Sequence, residues 1–185
     1  MIGYAFCGSF CTFADSFAEL SRLVDSGRDI IPIMSENAYS TDTRFFAARD
    51  FIRAVEEKTG KAVVHTITEA EKFGQHRLDS LIISPCTGNT LAKIATGITD
   101  TAVTMAAKAH LRCDGRLLIA LASNDAMSQN LKNIAALLTR KSVCFVPLRQ
   151  DNPTGKPHSL VADFTLLPKA LSELERDTQL RPLFL

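Results

Sequence analysis

Six short apolar runs, each of six or seven residues, recur along the chain between longer segments of helical periodicity. Runs of this length, rich in Ile, Leu, Val and Phe, are typical of buried β-strands. The predicted strands are residues 2–7, 29–34, 62–67 (the weakest), 78–84, 116–122 and 141–147. Because most of these runs are nearly continuous in apolar residues, they indicate a parallel sheet covered on both faces.

The segments between the strands carry apolar residues at the 3.6-residue period of a helix. Three such stripes are Phe13, Phe17, Leu20 and Val24; Phe45, Ala48, Ile52 and Val55; and Met127, Leu131, Ile134 and Leu138. Capping residues predict where helices begin and end. Thr12 with Asp15 marks the start of the first helix and Gly27 its end, and Gly60 marks the end of the second. Of the two helices that follow residue 84, the first ends at Gly97 and the second begins at Asp100. A last helix is expected at about residues 168–176.

Strands that alternate with helices predict βαβ units. The sequence therefore predicts an α/β fold of three layers, α/β/α, with a mostly parallel, Rossmann-like sheet of about six strands. The 185 residues fit a single domain, residues 1–185. In such folds ligands bind beyond the carboxyl ends of the strands, so chemistry is expected in the loops after the first, second, fourth and fifth strands.

Composition excludes several classes of function. The 21 basic and 20 acidic residues are scattered, which argues against a nucleic-acid partner and favours a small molecule. No apolar stretch approaches the ~20 residues that span a bilayer, and no secretory signal is visible, so we expect no membrane association and a cytoplasmic protein. The five cysteines include no C-x-x-C pair, which argues against a disulfide framework and a zinc site. No metal is expected.

The loops after the first two strands carry hydroxyl groups. In "CGSFCT", Gly8 lets the backbone approach a ligand and Ser9 offers a hydroxyl beside a helix N-terminus, which suits a phosphate. The glycine spacing does not match G-x-G-x-x-G, and a simple turn is equally consistent. In "MSENAYSTDT", Ser35 precedes Glu36. The Ser35 hydroxyl suits a phosphate, whereas the Glu36 carboxylate suits the hydroxyl groups of a ribose. A polar loop leading to a helix capped near Asp42 is the simpler interpretation.

The loop after the fourth strand, "SPCTGNT", is the richest in small polar groups. Pro85 stiffens the turn, and Lys93 follows about one helical turn inside. Donors at a helix N-terminus suit a singly esterified phosphate and the polar edge of a flat ring. These donors come from Thr87, Gly88, Asn89 and Thr90. The alternative is a capped helix with a solvated Lys, and Cys86 fits a buried small residue better than a reactive thiol.

The loop after the fifth strand, "ASNDAM", offers a substrate-side surface. Its candidate residues are Ser123, Asn124, Asp125 and Met127. Asn124 is also a plausible N-cap. The catalytic base stays unassigned, because none of the four histidines, His65, His76, His110 and His158, stands in a recognisable catalytic or metal-binding pattern. A structural role is expected for each, and His158 is the best exception because its loop could fold over the cleft.

Together the loops resemble those of the flavoprotein family that includes the homo-oligomeric flavin-containing cysteine decarboxylases and phosphopantothenoylcysteine decarboxylase. In that family a Gly-Ser loop, a hydroxyl residue after strand two and a Pro-Ala-Ser-Ala-Asn-Thr motif hold FMN. Here Pro85, Asn89 and Thr90 keep the places of that motif. The resemblance implies FMN held by the loops around Ser9, Ser35 and residues 85–93, and a homo-oligomer.

A closer resemblance, to the family of dipicolinate synthase B subunits of spore-forming bacteria, covers almost the whole chain. It is carried by "GSFCTF", "DTRF", "SPCTGNTLAKIATGITDTAVTMAAKAHLR", "SNDAMSQNLKNIAALL" and "FVPLRQDNPTGKPHSLVADFTLLP". It implies a partner, the dipicolinate synthase A subunit, which uses NADP or NAD, and oxidation of a dihydro- or tetrahydropyridine dicarboxylate from the lysine pathway to dipicolinate in the sporulating mother cell. Phe10 departs from the His that is usual after Gly-Ser, and His158 from a frequent Asn. Two alternatives stay open: a non-catalytic assembly module that activates the A subunit, and a flavin-dependent decarboxylase or prenyl-transfer enzyme.

Overall fold

A seven-stranded, mostly parallel sheet forms the centre of the computed structural model, which describes residues 1–185. Its strands are β1 (Ile2–Phe6), β2 (Ile30–Met34), β3 (Ser80–Thr87), β4 (Arg116–Ser123), β5 (Val143–Phe145), β6 (Leu148–Arg149) and β7 (Leu160–Ala162). The order is β2-β1-β3-β4-β7-β6, and β5 also pairs with β4. Strands β1 to β5 are parallel, whereas β7 is antiparallel to both β4 and β6.

Eight α-helices complete a three-layer α/β/α fold, as predicted. They are α1 (Phe13–Asp25), α2 (Glu36–Ser40), α3 (Ala48–Thr59), α4 (Ile67–Glu71), α5 (Gly88–Thr96), α6 (Ala102–Leu111), α7 (Leu131–Leu138) and α8 (Leu167–Leu174). Strand and helix side chains share one cluster of 51 buried hydrophobic residues. None of the helices combines the length and the apolar character that crossing a lipid bilayer requires.

One strand prediction was wrong, and two short strands were not predicted. Residues 62–67 do not form a strand, because only Val64 bridges to Ile33 of β2. The following Thr66 instead caps α4 through a reciprocal capping box with Glu69. The antiparallel pair β6 and β7 was not predicted, because strands of two and three residues are too short to leave a periodic pattern.

Helices α1 and α3 begin differently from their predicted signatures. The Thr12 hydroxyl does not cap α1 but donates to the Ser9 carbonyl at 2.8 Å. Phe45 lies outside α3 and is 50% exposed. The Asp42 carboxylate accepts a hydrogen bond from the Ala48 N–H at 2.8 Å, so this residue supports the start of α3 from six positions upstream. Gly60 ends α3 in the left-handed region, as predicted.

Later helices show the same pattern of correct ends and displaced starts. Gly97 ends α5 with a φ of +79°, as predicted, but α6 is capped by Thr101 and not by Asp100. Helix α7 begins only after Asn130, so Asn124 is not its N-cap. Its residue Leu131, assigned to the buried stripe, is 48% exposed.

Buried polar contacts fix the end of β3 against α1. The Tyr4 hydroxyl donates to the Ser16 carbonyl at 2.8 Å, and the Ser16 hydroxyl donates to the Ser84 carbonyl at 2.6 Å. All three residues are fully buried. This series of hydrogen bonds positions the loop that follows Ser84.

The free side of β5 is covered by a side chain. The Phe145 N–H donates to Oε1 of Gln179 at 2.8 Å, and Nε2 of Gln179 donates back to the Phe145 carbonyl at 2.7 Å. The carboxamide thus makes the two hydrogen bonds that a neighbouring strand would make.

Candidate functional site

A cleft of about 690 Å³ lies beyond the carboxyl ends of β1, β3 and β4, where a parallel sheet is expected to bind ligands. Three predicted loops meet there. The lining residues are Gly8, Ser9, Thr87, Gly88, Asn89, Ala92, Thr96, Ala122, Ser123, Asn124, Asp125, Gln129, Asn130, Lys132 and Asn133. We refer to it as the first cleft.

The loop after β1 is held in a tight turn. The Ser9 N–H donates to the Cys7 carbonyl at 2.7 Å, and the Thr12 hydroxyl donates to Ser9 Oγ at 3.2 Å. The Cys7 N–H donates to the Pro85 carbonyl at 3.1 Å and so joins this loop to the one after β3. The Ser9 hydroxyl therefore has a fixed position on the cleft wall.

The loop after β3 leads directly into α5. The Thr87 hydroxyl caps this helix by accepting the Thr90 N–H at 3.3 Å, and it donates to the Thr90 hydroxyl at 3.1 Å. The N–H groups of Gly88 and Asn89, in the first turn, have no acceptor within the helix. Gly88 and Asn89 stand at the positive end of α5 and line the cleft, where an anion would be favoured.

The loop after β4 is organised around one carboxylate. Oδ1 of Asp125 accepts hydrogen bonds from the Ser123 hydroxyl at 2.5 Å and from Nδ2 of Asn130 at 2.9 Å. Nδ2 of Asn133 in turn donates to the Asn130 side-chain oxygen at 2.8 Å. The hydrogen bond from Ser123, followed by that from Asn130, lowers the pKa of Asp125 below its ordinary value, so this carboxyl is ionised at neutral pH.

At Gly88 the loop after β3 lies against the loop after β4. A Cβ at this position would lie 2.6 Å from Nδ2 of Asn130 and 2.9 Å from Oδ1 of Asp125, and closer still to Ser123 Oγ. The backbone φ of Gly88 is not positive. Glycine is therefore required here by space and not by backbone conformation.

Eight predicted site residues line the first cleft and five do not. The eight are Gly8, Ser9, Thr87, Gly88, Asn89, Ser123, Asn124 and Asp125, and the five are Ser35, Pro85, Thr90, Lys93 and Met127.

Each of the five has another place in the structure. Ser35 caps α2 by accepting the Ala38 N–H at 3.3 Å, and Pro85 and Thr90 are buried beneath the cleft loops. Lys93 points to Asp100, whose carboxylate it contacts at 2.8 Å. The Met127 N–H donates to the carbonyl of His158 at 2.9 Å.

The start of α7 adds cleft residues that sequence reasoning missed. Its contribution consists of Gln129, Asn130, Lys132 and Asn133, and α5 adds Ala92 and Thr96. Asn130 and Asn133 are spaced i, i+3 at the start of a largely apolar helix. This spacing was the available signal, because buried amides need partners. It was missed because the apolar stripe predicts a helix that begins earlier, near Met127.

A second cleft, of about 600 Å³, contains a histidine. The imidazole of His65 stacks on the Tyr39 ring with centroids 3.9 Å apart and planes 8° from parallel. The other lining residues are Glu36, Ser40, Thr66, Ile67, Thr68, Asp100, Thr101 and Ala102. No histidine lines the first cleft, and His110 is buried with Nε2 2.9 Å from the Arg116 carbonyl oxygen.

Two cysteines beside the cleft loops, Cys7 and Cys86, are core residues. Cys7 and Cys86 are fully buried, and burial raises the pKa of the Cys7 thiol to about 11 and that of Cys86 well above its ordinary value. Neither thiol is a ready nucleophile. The prediction that Cys86 is a buried small residue is confirmed.

The first cleft has the donors that a phosphorylated flavin needs. Its volume lies within the usual range of ligand sites, ~300–1,000 Å³, and its wall combines hydroxyls with the N-terminus of a nine-residue helix. Its apolar lining is limited to Ala92 and Ala122. The residues present therefore fit the polar parts of FMN and leave the faces of a flat ring to be covered by other surfaces.

Comparison with known proteins gives a consistent result. The sequence model of the family described as Flavoprotein matches residues 2–164. The dipicolinate synthase B subunit of Bacillus subtilis (strain 168) is 36% identical over 183 residues, which are 98% of this chain and 92% of the relative. The crystal structure of the dipicolinate synthase B subunit from Bacillus halodurans C is 34% identical, covers 100% of this chain and 95% of the other, and superposes with a TM-score of 0.91.

A more distant structure shares the same fold. The dodecameric FMN-dependent Ubix-like decarboxylase from Escherichia coli O157:H7 is 25% identical, with a TM-score of 0.63 and coverage of 80% of each chain.

Proposed function

Since the chain belongs to the flavoprotein family, we propose that it is the FMN-binding B subunit of a dipicolinate synthase. It acts with an A subunit that carries NADP or NAD, and the pair oxidises a dihydro- or tetrahydropyridine dicarboxylate of the lysine pathway to dipicolinate in the mother cell of a sporulating bacterium. Similarity to two B subunits over nearly the whole chain supports this assignment.

Each oxidation step on the way to an aromatic ring removes a hydride equivalent and a proton. FMN, when bound, supplies an acceptor for the hydride equivalent. The protein must then bind the phosphate, orient the substrate and accept the proton. The first two tasks can be assigned to different parts of the first cleft.

Phosphate binding is assigned to the loops after β1 and β3. The Ser9 hydroxyl, the Asn89 carboxamide and the N–H groups of Gly88 and Asn89 supply the donors, and Gly8 leaves room for the ligand. The Thr87 hydroxyl donates to Thr90 and holds the start of α5 in place. Supporting roles fall to the remaining predicted residues of these loops and of the loop after β2, namely Ser35, Pro85 and Thr90. Lys93 is the weakest member of the predicted set, because Asp100 already neutralises it.

Substrate orientation is assigned to the loop after β4. The exposed amide of Asn124 can donate to a carboxylate of the substrate. Asp125 would repel a dicarboxylate, so its role is to position Ser123 and the start of α7 through its hydrogen bonds. Met127 fixes the same loop to the hairpin between β6 and β7.

Proton acceptance is assigned to no residue of the first cleft, because none of its lining residues is a histidine. Imidazole is the usual acid or base near neutral pH, but His65 lines the second cleft, where it stacks on Tyr39. The one carboxylate of the first cleft, that of Asp125, is held ionised by hydrogen bonds and is a poor base.

We further propose that residues 1–185 act as one flavoprotein domain within a homo-oligomer. The apolar lining of the first cleft is too small to cover a flavin ring, and the related decarboxylase from Escherichia coli is dodecameric. A second copy of this chain, or the A subunit, would supply the missing surface.

The observation that carries the proposal is the convergence of three polar loops on one cleft in a chain that is 36% identical to a B subunit. The experiment is an FMN titration of the purified protein, followed by quenching of flavin fluorescence. Asn89→Ala should weaken binding about tenfold, the loss expected for one good hydrogen bond to a charged group. Asn152→Ala, in the exposed hairpin loop, is the matched control.

A second candidate function is an assembly module that activates the A subunit through contact. It is favoured by the first cleft, which contains neither an imidazole nor a free carboxylate. Absence of FMN binding in the wild type, or unchanged activity of the mixed complex after Ser9→Ala and Asn89→Ala, would favour the module over the flavin-binding role.

A further inference from the structure

The first cleft contains a single basic side chain, Lys132, the second residue of α7. This lysine is exposed and forms no ion pair or hydrogen bond within the chain. Lys93, the basic residue that the sequence favoured, is instead paired with Asp100. The ammonium group of Lys132 is therefore unpaired and available to bind a ligand in the first cleft.

Two helix N-termini reinforce the positive potential around Lys132. Helix α5 begins at Gly88 and helix α7 at Leu131, and first-turn residues of both line the cleft. Their free N–H groups and positive dipole ends favour an anion in the space between them. The opposing charge of Asp125 is partly offset by the donors from Ser123 and Asn130 that hold its Oδ1.

From this arrangement we propose that the ammonium group of Lys132 binds the anionic group of the ligand in the first cleft. The inference rests on the proposed function, which offers two such groups: the phosphate of FMN and a carboxylate of the dicarboxylate substrate or product. Both are oxyanions that an ammonium group can neutralise by a charge-assisted hydrogen bond. Lys132 thus contributes affinity for a charged ligand and discriminates against its neutral analogues.

The test compares four probes on four proteins by isothermal titration calorimetry. The probes are FMN, riboflavin (which lacks the phosphate), dipicolinate and inorganic phosphate. The proteins are the wild type, Lys132→Ala, Lys132→Arg and Lys141→Ala, the last being an exposed lysine outside the first cleft. If Lys132 binds the phosphate, Lys132→Ala weakens the affinity for FMN about tenfold and leaves the affinity for riboflavin unchanged. If Lys132 binds a carboxylate, Lys132→Ala weakens the affinity for dipicolinate about tenfold instead.

Two further signs distinguish a charge contact from general damage to the fold. Lys132→Arg should retain most of the affinity, because the charge is kept. The difference between wild type and Lys132→Ala should shrink as salt is raised, because the contact is solvent-accessible.

The inference is overturned if Lys132→Ala binds every probe as tightly as Lys141→Ala does. A wild-type protein that binds neither flavin would refute the FMN part of the proposed function, and the dipicolinate and phosphate titrations would still decide the role of Lys132. A wild-type protein that binds none of the four would refute both.

Discussion

Replacing Gly88 by alanine tests whether the loops after β3 and β4 are packed as described. Alanine normally stabilises a helix relative to glycine by roughly 0.5–1 kcal/mol. Here the added methyl group would lie 2.6 Å from Nδ2 of Asn130 and 2.9 Å from Oδ1 of Asp125. Ordinary contact at a Cβ begins near 3.4 Å, so these atoms must retreat by several tenths of an ångström. The expected effect therefore has the opposite sign to the helix propensity.

The magnitude follows from the contacts that must give way. Overpacking of this kind costs about 1–3 kcal/mol. Loss of one hydrogen bond to the Asp125 carboxylate costs about 1.5–3 kcal/mol. After the helix-propensity gain is subtracted, we expect Gly88→Ala to lower the free energy of unfolding by about 2 kcal/mol, since partial relaxation spares some of each contribution.

The measurement is urea unfolding followed by far-ultraviolet circular dichroism, because the chain has no tryptophan. One protein concentration is used throughout, because the stability of the proposed homo-oligomer would depend on concentration. Gly97→Ala is the control, because a Cβ there meets no atom within 4 Å. It should cost about 1 kcal/mol through its φ of +79° alone. Adding Ser123→Ala to Gly88→Ala should recover part of the loss. A Gly88→Ala protein as stable as wild type would refute the packing of these loops.

Two further predictions follow from the same structure. The hydrogen bond from Ser123 lowers the pKa of Asp125, so the stability it provides is present above the unfolded pKa of ~3.9 and disappears as the pH falls through the lower folded pKa. Urea titrations should therefore show a smaller loss of stability on acidification for Asp125→Asn than for wild type, and parallel pH curves would contradict this. Cys11 is exposed and should react first with a thiol reagent, whereas Cys86 should react only on unfolding. A fast phase that persists in Cys11→Ser would disprove the assignment.

The central strands were predictable because their burial leaves a direct trace in the sequence. The run Leu81–Ile83 is continuously apolar and buried, and both of its neighbours in the sheet are strands of the same kind. The weaker run around Val64 has a similar local composition but makes only one bridge. Whether this run forms a strand depends on how many of its residues lie beside β2. That is a property of the tertiary structure and cannot be read from the local sequence pattern.

The positions of the site loops were also predictable, whereas the directions of several side chains were not. Ser9 and Asn89 reach the cleft because the carboxyl ends of β1 and β3 lie side by side. Whether Lys93 or Lys132 faces the ligand depends on a competing partner, Asp100, which pairs with the first and leaves the second free at the start of another helix. No spacing rule identifies that competition in advance.

The carboxamide of Gln179 has a consequence for the behaviour of the protein at high concentration. A strand edge with free N–H and carbonyl groups is a template for a strand from another molecule and a starting point for aggregation. By occupying both groups of Phe145, Gln179 terminates the sheet on that side without adding a strand. Glutamate at this position would keep the size of the side chain but lose its donor. The amide nitrogen of Gln179 is therefore the group that keeps the Phe145 carbonyl from pairing with a strand of another molecule.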